Sequence, residues 1–237
     1  MNNEIVESLV KNQILIVFYI YVNNQKEWKD IVVGQLQDLI NSGIFTSNVG
    51  ILHIVGCGED ISQNLLCTLV SDMLKSVNFE FEYSTENKYE YPGLLKCFQL
   101  SKQKGNADKY IMYLHTKGMV LSGSLQRSQE NIILTQNLAN NWKNVLHIFK
   151  KFKHIEKAGP FPSSRGFYWY NFFYARCSYI VKCECPIESP PNRYWYEEWI
   201  GDAGSKSCLD CFSTLNEKMF FYSQEMTIET MKKLCYL

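Results

Sequence analysis

The feature that most constrains this chain is a strict alternation of segment types through its first half. Residues 14–22 are a continuous apolar run rich in β-branched and aromatic side chains, as a strand buried on both faces requires. Residues 27–41 carry Ile31, Val32, Leu36, Leu39 and Ile40 at helical spacing and stop at Ser42-Gly43. A second strand is predicted over 49–55, closed by Gly56-Cys57-Gly58. A second helix then runs through Leu74 with Asp60 as its N-cap. Residues 79–83 alternate as a third strand, and Pro92 opens a short helix to about Gln99. Residues 110–114 form a fourth strand that ends in His115-Thr116-Lys117-Gly118. This order predicts an α/β fold, a Rossmann-like, mostly parallel sheet flanked by helices. Ligands of such sheets sit at the carboxyl ends of the strands. Attention therefore falls on Asn23 and Asn24, residues 56–60, Ser84-Thr85 and His115-Thr116-Lys117.

The second half reads differently. One long amphipathic helix is predicted over 128–153, with Leu134, Leu138, Trp142, Val145, Phe149 and Phe152 three or four apart. Its basic end (Lys150, Lys151, Lys153, His154 and Lys157) suits a helix C-terminus better than a nucleic-acid patch. Loops follow over 159–162 and 186–191, separated by an aromatic stretch at 167–174. The tail after Gly204 reads as a strand or hairpin and a final short helix.

Composition narrows the function classes. Lys+Arg and Asp+Glu number 24 each, a balance that argues against nucleic acid as the main partner. At 46% hydrophobic and 20% charged residues, a sizeable core is available and wholesale disorder is excluded. The longest apolar run, nine residues, is too short for a transmembrane segment, and the start lacks the basic pattern of a secretory leader. Nine cysteines, an odd number, imply reduced thiols and a cytoplasmic location.

Several groupings could carry chemistry. Gly56-Cys57-Gly58 could cradle S-adenosylmethionine or a dinucleotide, with Glu80 or Glu82 as the following acid, or be an ordinary strand-to-helix turn. Cys183-Glu184-Cys185 and Cys208-Leu209-Asp210-Cys211 could hold a zinc ion, but the first spacing is poor and no zinc is expected. No serine-nucleophile or phosphate-loop motif occurs. His115, Thr116 and Lys117 at a strand end could receive an anion such as a diphosphate, or form an exposed basic turn. Glu197, Glu198 and Asp202 lie among Tyr194, Trp195, Tyr196 and Trp199, where partial desolvation would make a usable general base. A surface acid paired with Arg193 is the plainer alternative.

Three segments occur in order: Tyr113-Leu114-His115-Thr116-Lys117-Gly118, Tyr170-Asn171-Phe172-Phe173-Tyr174-Ala175-Arg176, and Arg193-Tyr194-x-x-Glu197-x-Trp199-Ile200-Gly201. Together they resemble GT-A-type glycosyltransferase domains of large DNA viruses and bacteria, which carry H-T-K-G, N-F-W-W-A and R-Y-x-x-E-x-W-I-G segments. The likeness covers roughly residues 14–202 and rests on these three motifs. It implies a single GT-A-like domain over 1–237, with a nucleotide-sugar-binding half at 1–124 and an acceptor-side half and tail at 125–237. It implies transfer of a sugar from a nucleotide-diphosphate sugar to a hydroxyl of a glycan or similar acceptor, in the cytoplasm, including a host cytoplasm if virus-encoded. Glu197, then Glu198, would be the catalytic base, and one base without a nucleophile implies inversion. His115, Thr116 and Lys117 would meet the diphosphate. Asn171 and a platform of Phe172, Phe173 and Tyr174 would orient a sugar, beside Arg193 and Trp199. Asn23 or Asn24 would lie near base and ribose. The Asp-x-Asp of most GT-A enzymes is replaced here by His115-Thr116-Lys117. Either Lys117 offsets the diphosphate charge without a metal, or His115 serves as one ligand of Mn²⁺ or Mg²⁺. A methyltransferase and a non-catalytic nucleotide-sugar- or glycan-binding module are the other classes open.

Overall fold

Seven of the eight residues of β1 (Ile14–Tyr21) are buried, which places this strand in the middle of a sheet. The computed structural model describes residues 13–23, 28–46, 49–116, 127–192, 194–201, 208–216 and 221–236, apart from the Ile61 side chain. On one side β1 pairs in parallel with β2 (Gly50–Cys57), and β2 with β3 (Phe79–Ser84). On the other it pairs in parallel with β4 (Tyr110–His115), which is buried along its whole length. Helices α1 (Trp28–Asn41), α2 (Asp60–Met73) and α3 (Tyr91–Lys102) make the crossovers. The described strands form one sheet of order β3-β2-β1-β4-β6-β5-β7.

The second half extends that sheet. Strand β6 (Phe173–Arg176) runs antiparallel to β4 and to β5 (Lys157–Gly159), and β7 (Cys211–Ser213) runs parallel to β5. The remaining helices are α4 (Gln129–Asn140), α5 (Trp142–Lys151), the one-turn α6 (Cys177–Ile180) and α7 (Trp195–Glu198), and α8 (Gln224–Cys235). Apolar side chains pack on both faces of the sheet. One core joins β1 side chains such as Ile16 and Phe18 to α1, α4 and α5; the other joins Val17 and Tyr19 to α3, α6 and Trp199. The chain is an α/β protein with a mostly parallel sheet flanked by helices. No helix among the described residues is long and apolar enough to cross a membrane.

Three expectations are corrected. The long helix over 128–153 is two helices, broken at Asn141 (φ −90°, ψ 2°), where two poor helix formers, Asn140 and Asn141, adjoin. Its start is where the sequence placed it, capped by Ser128, whose hydroxyl accepts from Asn131 N. Asp60 is the first residue of α2, and Glu59 occupies the cap without a side-chain hydrogen bond. Lys157 belongs to β5, not to a basic helix end. It is buried, with Nζ 2.7 Å from the Tyr179 hydroxyl and 3.1 Å from Asp210 Oδ2.

Candidate active site

The parallel strands deliver their carboxyl ends to one edge, where Tyr19 is level with His115, and Tyr21 with Cys57. The Thr116 side chain is used there as a structural clasp, its Oγ1 accepting from Tyr21 N at 2.9 Å. The His115 carbonyl is tied to α1 by Gln35 Nε2 at 3.0 Å. The buried His115 ring packs against Phe172 and lies parallel to Tyr113. Its Nε2 is 3.0 Å from the Tyr170 carbonyl, which can only accept, so Nε2 carries a hydrogen.

A carboxylate not singled out from the sequence lies at the centre. Glu90 is the residue before α3, and its side chain is 18% exposed. Its Oε2 accepts from Asn171 Nδ2 at 2.6 Å and from the Tyr113 hydroxyl at 3.1 Å, and is 3.9 Å from His115 Nε2. Gly93 permits this approach: a Cβ there would lie 2.7 Å from Tyr19 Cβ and 3.0 Å from the Tyr113 hydroxyl, so the first turn of α3 can sit close on β1 and β4. Burial, and then the Glu90 charge, holds the Tyr113 hydroxyl well above its usual range. Tyr19 is raised likewise, by burial first and then by Cys57 and Glu90.

Backbone strain is concentrated at this place. Tyr89 (φ 51°), Tyr170 (φ 70°) and Asn171 (φ 57°) adopt left-handed conformations, and they are the described non-glycine residues that do so. They flank the Glu90–Asn171 contact. Asn171 is wholly buried. Its Nδ2 also reaches the Tyr196 carbonyl at 3.3 Å, whereas its Oδ1 has no hydrogen-bond partner. Such outliers persist only where the surroundings impose them, and they cluster at functional sites.

The other expected site residues are placed as follows. Glu197 is half-buried, and its charge contributes, after burial, Glu130 and Cys235, to raising the Tyr170 hydroxyl. Glu198 points elsewhere, in a two-pronged ion pair with Arg165 at 2.8 and 2.7 Å on the surface. Phe172, Phe173 and Tyr174 do not form a sugar platform. As alternating residues of a central strand and its lead-in they are wholly buried, on both faces of the sheet, and the Tyr174 hydroxyl is bonded to the Leu138 carbonyl. Trp199 is likewise core, donating from Nε1 to the Glu184 carbonyl at 2.8 Å. Asn23 is half-buried beyond the end of β1. Asn24, Lys117, Arg193 and Asp202 lie outside the described residues.

The Gly56-Cys57-Gly58 turn resolves into packing. A Cβ at Gly56 would meet Tyr83 and Leu66, and one at Gly58 would meet Val22 and the Tyr83 hydroxyl, so the protein itself fills the space over that turn. Glu80 and Glu82 pair with Lys96 at 3.3 and 2.6 Å. Of the paired cysteines, Cys183 and Cys211 are buried, Cys208 is half-buried and Cys185 exposed. Among the described residues no group of three or more His, Cys, Asp or Glu is placed to hold a metal ion. Comparison of the sequence with known family models and with curated proteins returns no match.

Proposed function

We propose that the protein is a glycosyltransferase of the GT-A type that moves a sugar from a nucleotide-diphosphate sugar to a hydroxyl acceptor. One observation carries this reading. The three segments behind the resemblance are dozens of residues apart, yet His115 bonds the Tyr170 carbonyl and Asn171 bonds the Tyr196 carbonyl. They therefore meet at the carboxyl edge of the parallel strands, where such sheets receive ligands. A shared core alone would not require the contacts to be polar, strained and grouped round a carboxylate.

In this reading the donor lies along the ends of β1 and β4. Glu197 takes the proton of the acceptor hydroxyl. The freed oxygen forms a bond to the anomeric carbon as the bond to the diphosphate breaks, and the diphosphate leaves with the electron pair. Lys117, two residues after His115 at that strand end, favours the charge that develops there. Single displacement of this kind inverts the anomeric carbon. A divalent ion would stabilise the diphosphate further, but the Nε2 of His115 is committed to a carbonyl and does not fit as its ligand. No step is assigned to a metal.

Thermal unfolding with UDP, GDP and their sugars tests the reading. A ligand that binds only the folded state adds about 2.7 kcal/mol at ~100 times its dissociation constant. A shift with S-adenosylmethionine and none with any nucleoside diphosphate would replace this proposal with a methyltransferase. Binding of nucleotide sugar without any hydrolysis or transfer would leave a binding module.

A further inference from the structure

The loop between β3 and α3 faces Glu188, Ser189, Pro190 and Tyr196 across an open cleft of about 510 Å³. That lies within the range of small-molecule sites, about 300–1,000 Å³. Glu86, Lys88 and Tyr89 line one wall, and Glu188, Ser189 and Tyr196 the other. Lys88 Nζ is 2.8 Å from a carboxylate oxygen of each glutamate and so bridges the walls. Both pairings raise the lysine above its ordinary value, and Lys88 lowers Glu86. Among the described lining residues two carboxylates stand against one ammonium, a net negative lining.

That lining selects among ligands. A phosphate or carboxylate would meet two like charges and be disfavoured. A neutral polyol suits it, because each hydroxyl can donate to a carboxylate and accept from an ammonium. The apolar face of a sugar ring also needs an aromatic surface, and Tyr89 offers one. Its side chain is 60% exposed, yet its backbone is left-handed and clasped by Asn87 Oδ1, which accepts from Tyr89 N at 3.0 Å. Core packing does not account for a strained residue that turns a large ring to solvent.

The cleft also communicates with the candidate active site. Tyr89 adjoins Glu90 in the chain. Tyr196 lines the cleft with its side chain, while its carbonyl accepts from the same Asn171 amide that holds Glu90. Buried and unpartnered, Asn171 Oδ1 lies at this junction. We infer that the cleft is a subsite for a neutral pyranose, the acceptor sugar, which stacks on Tyr89 beside the wall that carries Tyr196 and, next in the chain, Glu197. As an acceptor site it rests on the transferase reading above; as a sugar site it stands on the cleft itself.

Saturation-transfer NMR with the methyl pyranosides of glucose, galactose, mannose and N-acetylglucosamine tests this, with glucuronate, UDP and GDP as charged comparisons. The expected result is saturable binding of at least one neutral sugar, weaker binding of glucuronate than of methyl glucoside, and no displacement by UDP or GDP. Tyr89→Ala should weaken that binding roughly three- to tenfold, and Tyr89→Phe should restore it. Failure of every neutral sugar to bind, affinity unchanged in Tyr89→Ala, or competitive displacement by a nucleotide would each overturn the proposal. Sugar binding without any nucleotide binding would sink the transferase and leave the subsite standing. Nucleotide binding without sugar binding would do the reverse.

Discussion

Glu90 gathers two buried donors, of which the Asn171 amide has one weaker alternative in the Tyr196 carbonyl at 3.3 Å. The Asn171 amide is wholly buried, and the Tyr113 hydroxyl lies under α3, so each would be left without its charged partner in Glu90→Ala. Leaving a buried polar group unsatisfied costs about 1–3 kcal/mol. We predict that Glu90→Ala lowers stability by about 2–4 kcal/mol in urea titration, and that Glu90→Gln, which keeps an acceptor oxygen, loses less than half of that. The neighbouring acids separate by the same logic. Glu198 is paired with Arg165 near the surface, where such pairs contribute about 1 kcal/mol or less, so Glu198→Gln should leave stability and turnover nearly unchanged. Glu197→Gln should fold, retain nucleotide binding and lose at least ~10²-fold in transfer, the lower end of a general-base contribution. The reverse pattern in a transfer assay would move the base to Glu198. His53 yields a pH prediction. Its Nδ1 bonds Glu80 Oε2 at 2.9 Å while Nε2 is buried without a partner, and burial lowers its pKa from 6.5. The unfolded chain therefore binds the proton more readily. His53 contributes stability that is complete above 6.5 and is lost as pH falls below 6.5 toward the folded value. The urea midpoint should fall over that window in the wild type, and less in His53→Gln.

Among the elements, those that lie deep in the sheet were legible and those that close its far edge were not. Strands β1, β2 and β4 are buried on both faces over most of their length, so they read as apolar runs, interrupted in β2 by His53. Strand β3, paired on one side, alternates as an edge strand should. Strands β5 and β7 have three residues each, too few for any period to show, and β5 begins with a lysine. Position, not composition, makes that lysine a strand residue. The candidate site divides in the same way. His115 was legible because it ends an apolar strand. Glu90 was not, because its role comes from a turn that lets α3 pack on Tyr19 and Tyr113 at Gly93, a long-range contact with no local signature. Phe172, Phe173 and Tyr174 misled because aromatic density is the same in a binding platform and in a core. The far edge depends on the tie from Lys157 on β5 to Asp210 before β7 and Tyr179 on α6. Removing one member of a buried pair costs about 3–5 kcal/mol, and Asp210 is partly solvated, so Lys157→Ala should destabilise by about 3 kcal/mol. Adding Asp210→Asn should recover part of the loss; additive losses in a double-mutant cycle would show the two to be independent.

At the level of the molecule, the alternating first half and the irregular second half are parts of one sheet. Strand β6 pairs with β4 along Tyr110 to Tyr113, and the chain that provides β6 also provides α4 and α5. Leu134, Leu138, Trp142, Val145 and Phe149 from those helices share a core with Ile16, Phe18 and Met112. Trp142 adds a hydrogen bond to the Ser42 carbonyl at 3.0 Å, and Gln35 on α1 bonds Thr135 on α4 at 3.0 Å. A fragment of residues 1–124 would therefore expose one face of β1 and β4 together with the open edge of β4. An open, apolar edge strand pairs with other chains. We predict that this fragment, although it holds the four parallel strands and their three crossover helices, does not fold as a monomer. Far-UV dichroism should retain helical signal while near-UV dichroism is lost, dye binding to apolar surface should rise, and sedimentation should show association. Cooperative urea unfolding of a monomeric fragment would mean that the first four strands are an independent unit. The candidate active site, made of Glu90 and His115 from one half and Tyr170, Asn171 and Tyr196 from the other, would then be assembled between two separately stable parts. If the fragment fails as expected, site and sheet form together, because the contact that joins His115 to Tyr170 lies beside the strand pair that joins β4 to β6.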